Sequence, residues 1–269
     1  MNKKNLIILS VITVILITGI YFIAKRKEPA FKSGGGSSAT ALLNQIKDLQ
    51  AKSDLSGVKS VYQKLVNDYS NSSEVTNWQK KIDDINIKLL FSPVITPKSA
   101  IYEIRPGDTL SKIAREFKTT PDLIKKSNNL SDDRILPGKK IKVWTAPFSI
   151  LVDKSQNILI LKSEEEIIKT YIVATGKNNS TPVGNFKITS KLINPTWFKT
   201  GAVVPAGSPE NILGTRWMGI DVPSYGIHGT TDPQALGSQV TQGCVRMANS
   251  DVEELFTIVP LGTEVIIVD

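Results

Sequence analysis

Apolar residues change their spacing twice along this chain of 269 residues, and no single layered core accommodates all three rhythms. Between 39 and 91 the period is helical: Leu42, Leu43, Ile46 and Leu49, then Val58, Val61, Tyr62, Leu65, Val66 and Tyr69, then Val75, Trp78, Ile82, Ile85 and Leu89. Three helices are expected, with Ser72, Ser73 and Glu74 as polar candidates for the start of the third. From Phe148 onward SILVD, ILILK, IIKTYIVA, NFKITS, RWMGIDV, YGIHG and EVIIV read as short strands parted by turn residues such as Thr181-Pro182-Val183-Gly184. One helix interrupts them: Ser250 as N-cap with Glu253 three residues on forms a capping box, and Val252, Leu255, Phe256 and Val259 supply its buried face. Several modules in series are expected, the last a mainly β domain of about 120 residues, large enough for a core of its own.

Ahead of these lies Leu6 to Ala24, LIILSVITVILITGIYFIA, without a charge and without an amphipathic face. At about 1.5 Å per residue it reaches roughly 28 Å, close to the thickness of a bilayer core, and reads as an uncleaved spanning helix. A cleaved secretory signal needs a shorter apolar region and a small-x-small site, whereas Ile23-Ala24 runs straight into Lys25-Arg26-Lys27. Lys3 and Lys4 nearly balance that trio, so flanking charge does not set the orientation. These five cations make up most of the formal charge of +8, and the small remainder gives no reason to expect a nucleic-acid partner. SGGGSS at 33–38 reads as a flexible tether.

Between the helical part and the β domain, SPVITPKSA at 92–100 opens a segment with a β-α-α-β pattern. Tyr102-Glu103-Ile104 is strand-like. Pro106-Gly107-Asp108 is a turn whose Asp108 or Thr109 can cap a helix lined by Leu110, Ile113, Ala114 and Phe117. Thr120 before Pro121 starts a second helix, Asn128-Asn129 ends it, and Pro137-Gly138 turns into Lys140 to Val143. YEIRPGDTLSKIAREFKTTPDLIKKSNNLSDDRILPGKKIKV resembles a LysM (lysin-motif) domain along its whole length. The resemblance implies binding of N-acetylglucosamine-containing glycans such as peptidoglycan, and a place outside the cytoplasm.

The single cysteine, Cys244, and the single histidine, His228, exclude an intramolecular disulfide framework and a Cys/His-rich zinc site. They stand 16 residues apart, each beside glycine, in Ile227-His228-Gly229-Thr230 and Thr241-Gln242-Gly243-Cys244-Val245-Arg246-Met247. A thiol of ordinary pKa is only a few per cent thiolate at neutral pH, so a cysteine nucleophile needs a nearby base, which histidine supplies. Gly243 would let a substrate carbonyl approach backbone N–H groups, and Arg246 offers a planar fork for a carboxylate. A lone cysteine is more often a small buried hydrophobe, and a lone histidine in a strand a satisfied structural group, so spacing alone leaves both readings open.

IHGTTDPQALGSQVTQGCVRM resembles the active-site signature of the L,D-transpeptidase family, and TPVGNFKI and PENILGTRWMGI extend the similarity over 147–269. The resemblance implies that Cys244 is the nucleophile and His228 the general base and acid, with the Gly229 carbonyl orienting the imidazole. It makes the Gly243 and Cys244 amides the oxyanion donors, Arg246 a substrate-positioning or structural residue, and Trp217, with Trp197 and Phe198, candidates for the substrate cleft. Many members carry histidine where this chain has Gln242. The implied reaction attacks the carbonyl before the terminal D-alanine of a peptidoglycan stem peptide and passes the acyl group to an amine, giving a 3→3 cross-link, or to water. No metal or organic cofactor is implied.

The expected fold is multidomain. An anchor (1–27), a linker (28–38), a helical spacer (39–92) and a LysM module (101–144) precede a β-sandwich-like L,D-transpeptidase domain (147–269) with one short helix. The chain is expected to be a single-pass protein of the cell envelope, its partners peptidoglycan stem peptides, glycan strands and the membrane. Two rivals carry different expectations: a thiol peptidoglycan hydrolase of the papain-like kind, whose cysteine precedes its histidine, and a non-catalytic wall-binding scaffold.

Overall fold

The computed structural model describes residues 35–199 and 201–269, with side chains from 38 onward, and divides the chain at Asp48; Leu49–Asp269 form one body. The apolar run at 6–24 lies outside the described residues, among which no helix is long and apolar enough to cross a membrane. The expected tether is shorter than read: helix α1 (Gly35–Ala51) begins inside it. A glycine in a helix costs only about 1 kcal/mol, which the alanine- and leucine-bearing turns that follow can offset.

Helices α2 (Leu55–Asp68) and α3 (Val75–Leu90) form an antiparallel pair whose buried stripes, Val58, Val61, Tyr62 and Leu65 against Trp78, Ile82 and Ile85, are the ones the helical period marked. The small mixed module follows as strand β1 (Ser99–Glu103), helices α4 (Leu110–Glu116) and α5 (Pro121–Ser127), and strand β2 (Lys140–Trp144), antiparallel to β1. Thr109 and Thr120 cap the two helices as expected, each accepting from the N–H three residues on. The Asn128 amide nitrogen donates to the Lys142 carbonyl at 2.8 Å and its oxygen accepts from the Lys142 N–H at 2.7 Å, which ties the end of α5 to β2.

The β domain is a closed barrel and not the sandwich expected from sequence. Strands β3 (Phe148–Asp153), β4 (Ile158–Ser163), β5 (Glu166–Gly176), β6 (Gly184–Ile193), β9 (Arg216–Ile220), β10 (Gly226–His228), β12 (Val245–Met247) and β13 (Glu264–Val268) run in the order β5-β12-β10-β9-β6-β13-β3-β4, and β4 pairs back to β5. Strand β11 (Gln239–Thr241) adds to the far end of β5, and β7 (Trp197–Lys199) with β8 (Ala202–Val204) makes a separate hairpin. The long β5 makes closure possible, because β4 takes Glu166–Ile172 and β12 takes Val173 and Ala174 on its other edge. Alternation along β3 and β4 buries Phe148, Ile150, Val152, Leu159 and Leu161, and α6 (Asn249–Ile258) adds Val252, Leu255, Phe256 and Ile258 to the same core. The expected capping box is absent: Ala248 holds the cap position and no side chain caps α6.

The helical pair is part of this body, not a detached spacer. Along the half of β5 that β12 does not reach, Asp83 of α3 accepts from the Thr170 N–H at 3.0 Å and the Asn86 amide donates to the Ile168 carbonyl at 3.0 Å. Helix side chains thereby answer the backbone groups of an open sheet edge, which would otherwise invite pairing with another chain. Ile87 and Leu90 of α3 and Leu123 of α5 join the barrel's core cluster, each such burial contributing about 1.5–3 kcal/mol. Lys142 reaches from β2 to the Leu89 carbonyl at 2.6 Å and the Ser92 carbonyl at 2.9 Å, capping α3, and burial lowers its pKa to about 8.

Candidate active site

Three adjacent strands carry the site. Antiparallel β9 and β10 set Trp217 opposite His228, and parallel β10 and β12 set His228 opposite Arg246. Paired residues share a face, and the period of two extends that face to the residue just before β12, which is Cys244. The sequence-predicted residues Cys244, His228, Arg246 and Trp217 are thus brought together. The Trp217 ring lies against the imidazole, centroids 5.7 Å apart and planes at 20°, so it is a half-buried wall of the histidine pocket.

His228 is 2% exposed. Its Nδ1 lies 2.7 Å from the Gly229 carbonyl oxygen. A carbonyl only accepts, so Nδ1 carries the proton of the neutral ring and Nε2 keeps its lone pair. Burial drives the imidazole pKa down to about 4; the Gly229 and Leu213 carbonyls oppose that drop and the Arg246 charge adds to it. The ring is a neutral base at physiological pH.

Cys244 ends a tight turn. Thr241 Oγ1 donates to the Cys244 carbonyl at 2.7 Å and accepts from the Gly243 N–H at 3.2 Å. The Gly243 amide is therefore engaged inside the turn in this conformation. Gly243 sits at φ +131°, and a Cβ there would lie 2.5 Å from the Tyr225 ring, so only glycine fits. The thiol points at the Ser224 carbonyl, 3.5 Å away, and makes no hydrogen bond to His228. Burial pushes the thiol pKa up, opposed by the Gly226 N–H and the Arg246 charge. The resting pair is neutral thiol beside neutral imidazole.

Arg246 Nε is buried without a hydrogen-bond partner, and the Gln242 side chain is exposed. Phe198 is 75% exposed on the β7–β8 hairpin, opposite Val203. Two polar residues went unrecognised in the sequence. Buried Asn211 donates to the Pro195 carbonyl at 2.8 Å and accepts from the Leu213 N–H at 3.0 Å, fastening the base of the hairpin loop. Asn249 reaches back from the start of α6 to Thr230. Asn211 stands in a loop and Asn249 at the first position of α6, and no apolar period marks either. Among the described residues no cluster of three or more His, Cys, Asp or Glu side chains could hold a metal.

Barrel, site row and βααβ module together define a class: a mainly-β L,D-transpeptidase catalytic domain, whose family model matches residues 147–267, behind a LysM domain, whose model matches 102–144. YkuD of Bacillus licheniformis, assigned to the L,D-transpeptidases, is 35% identical over 173 residues, which cover 61% of this chain and 96% of that one. YqjB of Bacillus subtilis, with the same assignment, is 40% identical over 126 residues, 45% of this chain and 70% of its own. The chain belongs to the L,D-transpeptidase family and is an enzyme of that type. A solved L,D-transpeptidase from Mycobacterium smegmatis overlaps 50% of this chain and 65% of that one at 17% identity and a TM-score of 0.40.

Proposed function

We propose that the enzyme transfers the acyl group of a peptidoglycan stem peptide through a thioester on Cys244. The observation that carries this is the shared face: His228 and Arg246 stand in register on two parallel strands and Cys244 immediately precedes the second, with the imidazole neutral and its Nδ1 already committed to Gly229. Rotation of the thiol away from the Ser224 carbonyl toward Nε2 lets the base take the proton as sulfur attacks. The carbonyl–nitrogen bond before the terminal D-alanine breaks, His228 returns the proton to the departing amine, and an amine or water resolves the thioester. The Cys244 N–H stabilises the oxyanion, and the partly exposed Arg246 guanidinium offers its charge to a substrate carboxylate.

The LysM module holds the glycan that carries these stems and so raises their local concentration. The run 6–24 anchors the chain, with both domains outside the cytoplasm. The test is product mass spectrometry after incubation with purified muropeptides. Wild type is expected to lose D-alanine from the stem and gain cross-linked or trimmed product, with an acyl mass on the sole cysteine; Cys244→Ala is expected to lose at least about 10⁴-fold in turnover. A Cys244→Ala protein with undiminished turnover would overturn the assignment.

A further inference from the structure

We infer that Asn249 is a positioning residue for His228, acting through the single peptide unit between Gly229 and Thr230. The inference rests on the proposed role of His228 as the base. That peptide unit has two ends. Its carbonyl, on Gly229, accepts from His228 Nδ1 at 2.7 Å, and its N–H, on Thr230, donates to Asn249 Oδ1 at 3.1 Å. A trans peptide is planar, with C=O and N–H pointing in opposite directions, and the described residues contain no cis bond. Whatever fixes the Thr230 N–H therefore fixes the direction of the Gly229 carbonyl, and with it the tilt of the imidazole and the nitrogen that carries the proton.

Asn249 is built into this place from several sides. Its amide nitrogen donates to the Thr230 carbonyl at 2.9 Å, and its Oδ1 also accepts from the Thr215 N–H at 3.2 Å, next to Arg216 on β9. Two glycines make room for that oxygen: a Cβ on Gly229 would lie 2.1 Å from it and one on Gly214 2.2 Å. The Gly229 N–H donates to the Arg216 carbonyl at 3.2 Å, so the peptide units on both sides of Gly229 are held. Since β12 feeds directly into α6, the chain that supplies Cys244 and Arg246 also supplies the clamp on the base. Nucleophile and base are referenced to the same backbone.

The chain's single histidine gives a direct readout. In full-length protein labelled with ¹⁵N-histidine and free of any histidine tag, long-range ¹H–¹⁵N correlations report one imidazole and its tautomer. Wild type is expected to show a single Nδ1–H form. Asn249→Ala is expected to show mixed tautomers and a kcat lower by about 10- to 100-fold on a soluble tetrapeptide, with KM little changed, as follows from a misplaced catalytic group. Asn249→Asp keeps an acceptor for both N–H groups and is expected to retain the Nδ1–H signature with kcat within about 5-fold of wild type. A folded Asn249→Ala protein with the wild-type signature and kcat would overturn the inference. Should the alanine variant fail to fold, loss of the signature in a folded Asn249→Asp protein would overturn it equally. Failure of the base assignment is distinguishable, because His228→Gln would then retain turnover while the Asn249 variants still shifted the imidazole spectrum.

Discussion

The two sides of the site are built in opposite ways. On the side of β9, β10 and β12 the base is fixed several times over, His228 by its strand neighbours, by Trp217 stacked on its ring and by the Gly229 carbonyl, and the backbone of Cys244 is held by the Thr241 turn. On the side of the β7–β8 hairpin, one buried side chain, Asn211, fastens the base of the loop, and the tip carries Phe198 and Val203 into solvent. Chemistry that fails when atoms move by an ångström has been placed on closed sheet, where strand pairing fixes the backbone. The hairpin has few buried contacts and sits at the low end of local stability.

The sharpest way to break this contrast is to disturb the rigid side at a point with no slack. Gly243→Ala places a methyl group 2.5 Å from the Tyr225 ring at a backbone angle of +131° that L side chains rarely adopt. The nucleophile is the next residue. The variant is expected to lose about 10²-fold or more in turnover and about 1–3 kcal/mol of stability in denaturant unfolding. Near-normal turnover would mean that the nucleophile turn is as tolerant as the hairpin.

How much of this was legible in the sequence follows the same division. The site row announced itself because its groups are chemically rare: one thiol and one imidazole, each beside a glycine, can be paired without knowing the fold. The strands that carry the core were readable as well, since alternation survives in SILVD and ILILK. Barrel closure was not, because it depends on β5 being long enough to serve two partners, and pairing partners leave no local mark. The capping box at Ser250 failed because the helix starts one residue before it, at Asn249, whose side chain is turned back toward Thr230. The independence of the modules also failed. Leu123 and Lys142 looked like ordinary LysM residues, and only the fold shows one in the barrel core and the other capping α3. Removal of 101–143 is therefore expected to cost stability as well as glycan binding.

Acid sharpens the contrast from another direction. In the folded protein the His228 pKa is about 4, against about 6.5 in an unfolded chain, so the unfolded state takes up its proton first as pH falls. The contribution of the buried neutral ring is fully present above pH 6.5 and is lost as pH drops toward 4. Between pH 6.5 and 5, above the range of most carboxylates, the loss is expected to be about 2 kcal/mol. Denaturant titrations across that window should show the slope in wild type and not in His228→Gln. An identical slope in both would place the sensitivity elsewhere and weaken the picture of a sealed base.

The smallest effect on stability is expected at the tip of the hairpin, where it is also most informative. Phe198 is 75% exposed, so Phe198→Ala removes almost no buried surface and should change stability by less than about 0.5 kcal/mol. If the hairpin closes on the stem peptide, the same change removes an apolar contact made only when substrate is present. KM for a soluble tetrapeptide should then rise several-fold while kcat, set by the β10–β12 row, stays close to wild type. A fall in kcat with KM unchanged would join the hairpin to the chemistry and dissolve the division between the two sides. No change in either constant would leave Phe198 outside the substrate's reach.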